Sequence, residues 1–155
     1  MKMGSFHVDC QVASIRSPGK SLKVRGLLVD TGAEYSWIPE GCLERIGVAR
    51  KKKDVAFLTA DGRRITRDVG YAIFRVEALE TVDEVVFGKP GDLKLLGART
   101  LEGFPAVLDP RRKKLVAAGP LPVAIGCGVK AIRLEQAIRP GISLVPCGPC
   151  GGARV

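Results

Sequence analysis

Short runs of alternating apolar and polar residues occur along most of this chain, and such a pattern is typical of β-strands. Residues 6–15 alternate imperfectly and predict a half-buried strand. A turn over 17–20 separates this strand from residues 22–29, which become fully apolar as they approach Asp30. The beginning of the chain therefore predicts a hairpin whose second arm ends in a carboxylate.

Turn residues divide the rest of the pattern into further strands and two short helices. A helix is predicted over 40–47, because Pro39 suits a first helical turn and Gly47 suits a C-cap. Asp61-Gly62 lies between two β-prone segments, which is the strongest hairpin signal in the chain. The remaining predicted elements are a helix over 98–102 and strands over 55–60, 63–69, 71–76, 81–87, 93–97, 104–108 and 115–116.

The number of short strands and the near absence of helical periodicity predict an all-β fold, a closed or barrel-like single lobe with one or two short helices. Beyond residue 118 the sequence changes character and becomes irregular and then glycine-rich. We therefore predict a domain over 5–118 and a C-terminal appendage over 119–155. Composition leaves open whether this appendage packs, pairs with a partner subunit or stays partly disordered.

The formal net charge of +9 at pH 7 makes nucleic acid or an acidic surface a partner to consider. Basic residues cluster at 50–53 and 111–114. Because no aromatic residues alternate with these clusters, a solvated loop and a hairpin tip are the favoured interpretations. Nucleic acid is therefore not an expected partner, and a nucleic-acid-binding function is kept as a third alternative.

Five cysteines, an odd number without framework spacing, indicate free thiols in a reducing compartment. Cys147-Gly148-Pro149-Cys150 has the spacing of the thioredoxin redox motif, but that chemistry needs a helix N-terminus in a βαβ unit. In this glycine-rich setting a disordered tail is the favoured interpretation. A zinc site lacks a second cysteine pair at suitable spacing.

Metal, cofactor and membrane binding find little support in the sequence. His7 is the only histidine, which disfavours histidine metal sites and Ser-His-Asp triads; His7 and Trp37 are predicted to be structural. No apolar signal segment follows Met1, and no run approaches the roughly 20 apolar residues of a membrane helix. We expect a cytoplasmic protein without metal or cofactor.

Asp30 is the strongest candidate for chemistry. The apolar run over 27–29 leads it into a tight turn at Thr31-Gly32. A carboxylate at the end of a buried strand is costly unless hydrogen bonds hold the charge or a neighbour shares the proton. The alternative is a turn aspartate that caps its own loop, but the flanking pattern favours a catalytic role.

The order and spacing of these motifs resemble the retropepsin-like (clan AA) aspartic proteases, in particular their small prokaryotic single-domain members. The resemblance covers about 5–118 and rests on the Asp-Thr-Gly-Ala motif over 30–33, the hairpin at 61–62 and the Leu-Leu-Gly run over 95–97. In that family these motifs carry the catalytic aspartate, the flap over the substrate and an element that crosses behind the site. The resemblance implies a catalytic Asp30, supporting residues Thr31, Gly32 and Ala33, flap or substrate-binding residues Thr59, Ala60, Asp61 and Gly62, and a crossing element of Leu95, Leu96 and Gly97.

Aspartic protease chemistry needs two carboxylates. When they lie about 3 Å apart they cannot both ionise, so the pair shares one proton and provides a base and an acid together. Gly32 allows the close turn, and Thr31 offers the hydroxyl that in the family bonds across the pair. This chain has one Asp-Thr-Gly, since Asp109 is followed by proline and Asp61 belongs to the hairpin turn. The resemblance therefore implies an endopeptidase that works as a C₂ homodimer on peptide or protein substrates.

A second function class remains open, in which the same fold is a catalytically silent module for dimerisation or peptide binding. Hydrolysis of an unstructured protein that is lost in Asp30→Asn would separate the two classes. Apolar residues are expected to line the substrate pocket, with Ala33, Leu58, Ile65, Val69 and Leu96 as candidates.

Overall fold

The structure is a computed structural model and describes residues 6–120. In this part of the chain the elements are β1 (His7–Ser14), β2 (Ser21–Asp30), β3 (Ser36–Pro39), α1 (Glu40–Arg45), β4 (Lys52–Leu58), β5 (Arg64–Val76), β6 (Leu79–Gly88), β7 (Leu95–Gly97), α2 (Ala98–Gly103), β8 (Ala106–Asp109) and β9 (Lys114–Ala117). The predicted appendage over 119–155, with Cys147 and Cys150, lies outside the described residues except for its first two positions. The domain boundary therefore stays a prediction.

Seven strands form one sheet in the order β1-β2-β7-β3-β6-β5-β4. Since β1 also pairs with β5, six of these strands close into a barrel, and β4 lies outside it against β5. Closure removes most free strand edges, which is how small all-β domains avoid edge-to-edge association. The predicted all-β, barrel-like fold is confirmed.

Inward-facing residues of the barrel strands form one hydrophobic core. Phe74 and Phe87 are among its largest fully buried side chains, and Leu43 joins the core from α1. Burying a side chain of this kind contributes about 1.5–3 kcal/mol. Cys10 is also in the core, where burial raises the pKa of its thiol to about 12. Cys10 and Cys42 are both free thiols, as predicted.

Both helices are short. α1 begins after Pro39 as predicted but ends at Arg45, because Gly47 adopts a left-handed conformation (φ 77°) and donates its N–H to the Glu44 carbonyl. α2 follows directly on Gly97. Within residues 6–120 neither helix is long and apolar enough to cross a membrane.

One long strand, β5, replaces the two strands predicted over 63–69 and 71–76. The predicted break at Gly70 is absent, because Gly70 is paired with Val85 in the ladder between β5 and β6. A Cβ on Gly70 would lie 2.5 Å from the Ala49 carbonyl oxygen. This glycine therefore allows two backbones to approach closely and does not make a turn.

The basic segment 50–53 is exposed at its three lysines, as predicted, but Arg50 is half-buried and only the first half of the segment is a loop. β4 already begins at Lys52, whose ammonium lies 3.0 Å from a Glu84 carboxylate oxygen. The Arg50 guanidinium stacks 4.3 Å from the centroid of the Phe87 ring and donates to Asp68 at 2.8 Å. Arg50 also contacts Glu44 and Glu40, which are near in sequence. Asp68 and Glu84, in contrast, lie 18 and 32 positions away along the chain, where a local pattern cannot indicate them.

The last predicted hairpin forms a separate two-stranded sheet of β8 and β9. Ala106 and Leu115 pack against the core, whereas Val107 and Val116 are exposed. The basic residues 111–113 lie exposed at its tip, as predicted.

Candidate active site

Asp30 is the last residue of β2, and it lies beside Gly97 because β2 and β7 run parallel. The register pairs Leu28 with Leu95, Val29 with Leu96 and Asp30 with Gly97. Two segments that are more than sixty positions apart in sequence thus end together at one edge of the barrel. The structure places the candidate catalytic residue and the candidate crossing element side by side.

Local hydrogen bonds hold the Asp30 carboxylate in its turn. Its Oδ1 accepts the N–H of Gly32 at 2.9 Å, and the Asp30 carbonyl accepts the N–H of Ala33 at 3.4 Å. A Cβ on Gly32 would lie 3.1 Å from Asp30 Oδ1, so glycine keeps the amide close to the carboxylate. Asp30 is half-buried, while Thr31 and Gly32 are exposed. A carboxylate in this position is fixed in direction and still reachable from solvent.

Three consecutive amides at the start of α2 support the loop that follows Asp30. The N–H of Gly97 donates to Ser36 Oγ at 2.9 Å, and the N–H groups of Ala98 and Arg99 donate to the carbonyls of residues 33 and 34 at 2.7 and 3.2 Å. A Cβ on Gly97 would lie 2.5 Å from backbone atoms of Tyr35. The position therefore requires glycine for close packing of the loop against β7.

The buried hydroxyls of Ser36 and Thr100, which no sequence motif indicated, meet behind this loop at 2.6 Å. Thr100 also donates to Asp83 at 3.0 Å. The available signal was Ser36 itself, a hydroxyl side chain between the aromatic residues Tyr35 and Trp37 at the start of a short strand. Buried hydroxyls are normally hydrogen-bonded, so the sequence indicates that Ser36 has a partner but does not identify it.

The hairpin of β4 and β5 has the candidate flap residues Thr59, Ala60, Asp61 and Gly62 at its tip, where Gly62 adopts a φ of 82°. The Thr59 hydroxyl hydrogen-bonds the Asp61 carboxylate, which also accepts from Arg63 Nε at 2.6 Å. These bonds lower the pKa of Asp61 below its usual value, the Thr59 bond most. The hairpin is present as predicted, and its role as a flap stays a prediction.

An aromatic cluster joins this hairpin to the strand that leaves the Asp30 loop. The Phe57 ring of β4 meets Tyr35 and Trp37 edge to face, with centroid distances of 5.6 and 5.1 Å. Contacts of this geometry contribute about 0.5–1.5 kcal/mol each beyond the area they bury. The cluster holds the end of the hairpin that is nearest its tip against the candidate site.

Two of the five candidate pocket residues cannot line a pocket. Leu96 is fully buried in the core cluster and Val69 is 1% exposed. Leu58 is 77% exposed near the tip of the hairpin. Alternation along a strand does not say which face turns toward the interior, and this accounts for the two wrong assignments.

The described residues form two surface hollows, and neither includes Asp30. One hollow lies between α1 and the turn after β6. The other lies between the end of β1, the segment that follows α1 and Tyr71. Within residues 6–120 no three His, Cys, Asp or Glu side chains are grouped as a metal site would require.

Comparison with known proteins gives one family and several solved structures. Residues 20–103, more than half of the chain, match the family described as "gag-polyprotein putative aspartyl protease". The matched segment includes Asp30, the hairpin tip and the run over 95–97. No curated protein sequence matches the chain.

Two similar structures are viral proteases. EIAV protease complexed with the inhibitor HBY-793 is 16% identical, with 64% of this chain and 86% of that chain covered and a TM-score of 0.44. The simian foamy virus (mac) protease solution structure is 23% identical, with 64% and 92% covered and a TM-score of 0.39.

Proposed function

We propose that this chain, which belongs to the gag-polyprotein putative aspartyl protease family, is an aspartic endopeptidase that acts as a homodimer. The observation that carries the proposal is the Asp30 carboxylate, half-buried at the end of β2, oriented by the Gly32 amide and placed beside Gly97. We assign the activity to the domain over 5–118. The proposal rests on the family match together with this local geometry.

The second carboxylate is proposed to come from a second copy of the chain. Two other aspartates of the described residues serve structural ion pairs, since Asp68 binds Arg50 and Asp92 binds Arg67. Asp30 is half-buried, and the exposed Thr31 and Gly32 lie next to it. A twofold axis passing near this turn would bring two Asp30 carboxylates together and cover both turns.

The proposed mechanism uses the dyad as base and acid in turn. Two carboxylates about 3 Å apart share one proton. The ionised member removes a proton from a water molecule, which attacks the peptide carbonyl carbon while the protonated member donates to the carbonyl oxygen. After this step the dyad still holds one proton, now on the other carboxyl. When the C–N bond of the gem-diol breaks, the protonated carboxyl donates to the leaving nitrogen. The ionised carboxylate takes the proton of a gem-diol hydroxyl as the product carboxyl group forms, so the dyad again holds one proton.

The other predicted site residues have supporting roles in this proposal. Thr31 would bond across the dimer and Ala33 would lie beside the substrate. The tip over 59–62 would close over the peptide, with its base anchored through Phe57. Leu95 and Leu96 would hold β2 in place from behind, since they pair with it in register.

The test is hydrolysis of an unstructured protein such as casein between about pH 3 and 7. We expect cleavage by the wild type, inhibition by a statine-type peptide, and a loss of at least about a thousandfold in Asp30→Asn, because the dyad then has no ionisable member. Glu77→Gln removes one carboxylate from the exposed turn between β5 and β6 and serves as the matched control.

Sedimentation measures the oligomeric state of the same preparations. A folded wild-type dimer that cleaves nothing across this pH range would refute the enzyme and favour the silent dimerisation or peptide-binding module. Cleavage by a strictly monomeric species would refute the shared dyad. Tight binding of a nucleic acid with a steep salt dependence would instead support the third alternative.

A further inference from the structure

A chain of buried hydroxyls connects the candidate active site to a carboxylate on a different strand. The Gly97 N–H lies 2.9 Å from Ser36 Oγ, Ser36 Oγ lies 2.6 Å from Thr100 Oγ1, and Thr100 Oγ1 lies 3.0 Å from Asp83 Oδ2. Ser36 and Thr100 are both 0% exposed. We refer to these four groups as the Asp83 relay.

The direction of the hydrogen bonds in the relay follows from chemistry. An ionised carboxylate only accepts, so Thr100 donates its proton to Asp83. Thr100 Oγ1 must then accept from Ser36, and Ser36 Oγ accepts from the Gly97 amide. Every hydroxyl in the relay donates once and accepts once, with the carboxylate as the terminal acceptor. Bonds to a charged acceptor are the stronger kind, and connected bonds polarise one another.

The carboxylate at the end of the relay is well shielded. The Asp83 side chain is 12% exposed, and its other oxygen lies 3.7 Å from the Arg99 guanidinium. Arg99 stacks over the Tyr35 ring at 5.0 Å, and its backbone amide donates to the carbonyl of residue 34. The charge of Asp83 is thus compensated by a residue that itself contacts the loop after Asp30.

The other end of the relay is the backbone amide of Gly97, next to Asp30. Gly97 is the residue paired with Asp30 between β7 and β2. If Ser36 lost its hydrogen bond to Thr100, its hydroxyl could rotate away from the Gly97 amide. Of its hydrogen bonds to residues 97–99, the loop over 31–36 would then keep those from the amides of residues 98 and 99.

We propose that Asp83 is a positioning residue for Asp30, and that it acts through Thr100, Ser36 and the Gly97 amide. The inference rests on the proposed proteolytic function for its catalytic consequence. Its structural part, that this relay fixes the loop over 31–36, can be measured without turnover. Asp83 does not touch the reacting atoms in this proposal.

The primary experiment compares Thr100→Val with Thr100→Ser in the full-length chain. Valine has the shape of threonine without the hydroxyl, and serine keeps the hydroxyl. We expect kcat to fall by about tenfold to hundredfold in Thr100→Val, since small displacements of a catalytic group are costly. KM should stay within about twofold, and Thr100→Ser should restore most of kcat.

A second measurement follows amide hydrogen exchange by NMR. We expect faster exchange at Gly32 and Ala33 in Thr100→Val, with unchanged exchange at core amides of β1 and β5 such as those of Val12 and Phe74. Asp83→Asn keeps a neutral acceptor, so it should give a smaller effect in the same direction and serves if the valine variant does not fold. Thr100→Ser should match the wild type.

The outcomes separate the two proposals. An inactive wild type that still shows selective exchange changes would refute the protease and retain the positioning role. Equal kcat for Thr100→Val and Thr100→Ser, or exchange that rises equally at the loop and at the core amides, would overturn the relay whether or not the chain is a protease.

Discussion

Replacing Gly97 by alanine tests the close packing on which the Asp30 site depends. The added methyl group would lie 2.5 Å from the carbonyl carbon and oxygen of Tyr35 and 2.8 Å from the Glu34 oxygen. An ordinary contact begins at 3.4 Å, so the overlap is close to 1 Å. Because the contacted atoms are backbone, no side-chain rotation can relieve it.

This overlap gives the order of magnitude of the loss in the free energy of unfolding. Overpacking in a core typically costs 1–3 kcal/mol when side chains can adjust. Here β7 must separate from the loop after Asp30, which also weakens the hydrogen bond from Gly97 to Ser36. The reduced flexibility of the unfolded chain returns about 0.5–1 kcal/mol. We expect a net loss of about 3 kcal/mol in the free energy of unfolding, or about 12 °C in Tm for a domain of this size.

Urea denaturation and a thermal scan measure this loss, with Gly41→Ala as the matched control. Gly41 lies exposed in α1, and a Cβ there would meet nothing within 4 Å. Alanine should therefore stabilise that helix by up to about 1 kcal/mol. A loss of less than about 1 kcal/mol in the free energy of unfolding of Gly97→Ala would refute this close packing. An equal change in stability in the two variants would refute it as well.

Two further predictions concern the hairpin and its surroundings. Asp92 makes two hydrogen bonds to Arg67, at 2.6 and 2.8 Å, and this interaction holds the pKa of Asp92 below its usual value. Its stabilisation is therefore present above the unfolded pKa of about 3.9 and is lost as pH falls through the lower folded pKa. In urea titrations Asp92→Asn should cost about 2 kcal/mol at pH 7 and progressively less as the pH falls below about 3.9, and a pH-independent difference would contradict this. Phe57→Ala should cost about 3 kcal/mol in the free energy of unfolding. Because it frees the hairpin from Tyr35, it should also raise KM for peptides more than it lowers kcat. Unchanged peptide kinetics would show that this anchoring does not matter for binding.

Much of the fold could be predicted from local patterns. The hairpin at Asp61-Gly62 and the helices after Pro39 and Gly97 lie where turn and cap residues predicted them. The errors at Gly70 and Arg50 have one cause. Gly70 and Arg50 each contact a segment that is distant in sequence. A glycine normally indicates a turn and a basic residue a solvated loop, but here each residue is required by that distant contact.

The sequence by itself determined the all-β class, the position of Asp30 at the end of an apolar strand and the order of the motifs around it. These features depend on periodicity and turn chemistry, which are local. Only the tertiary structure decided that Asp30 pairs with Gly97, that Leu96 and Val69 turn inward, and that Ser36 meets Thr100 and Asp83. These contacts join segments brought together by barrel closure, and local alternation carries no information about which strands become neighbours.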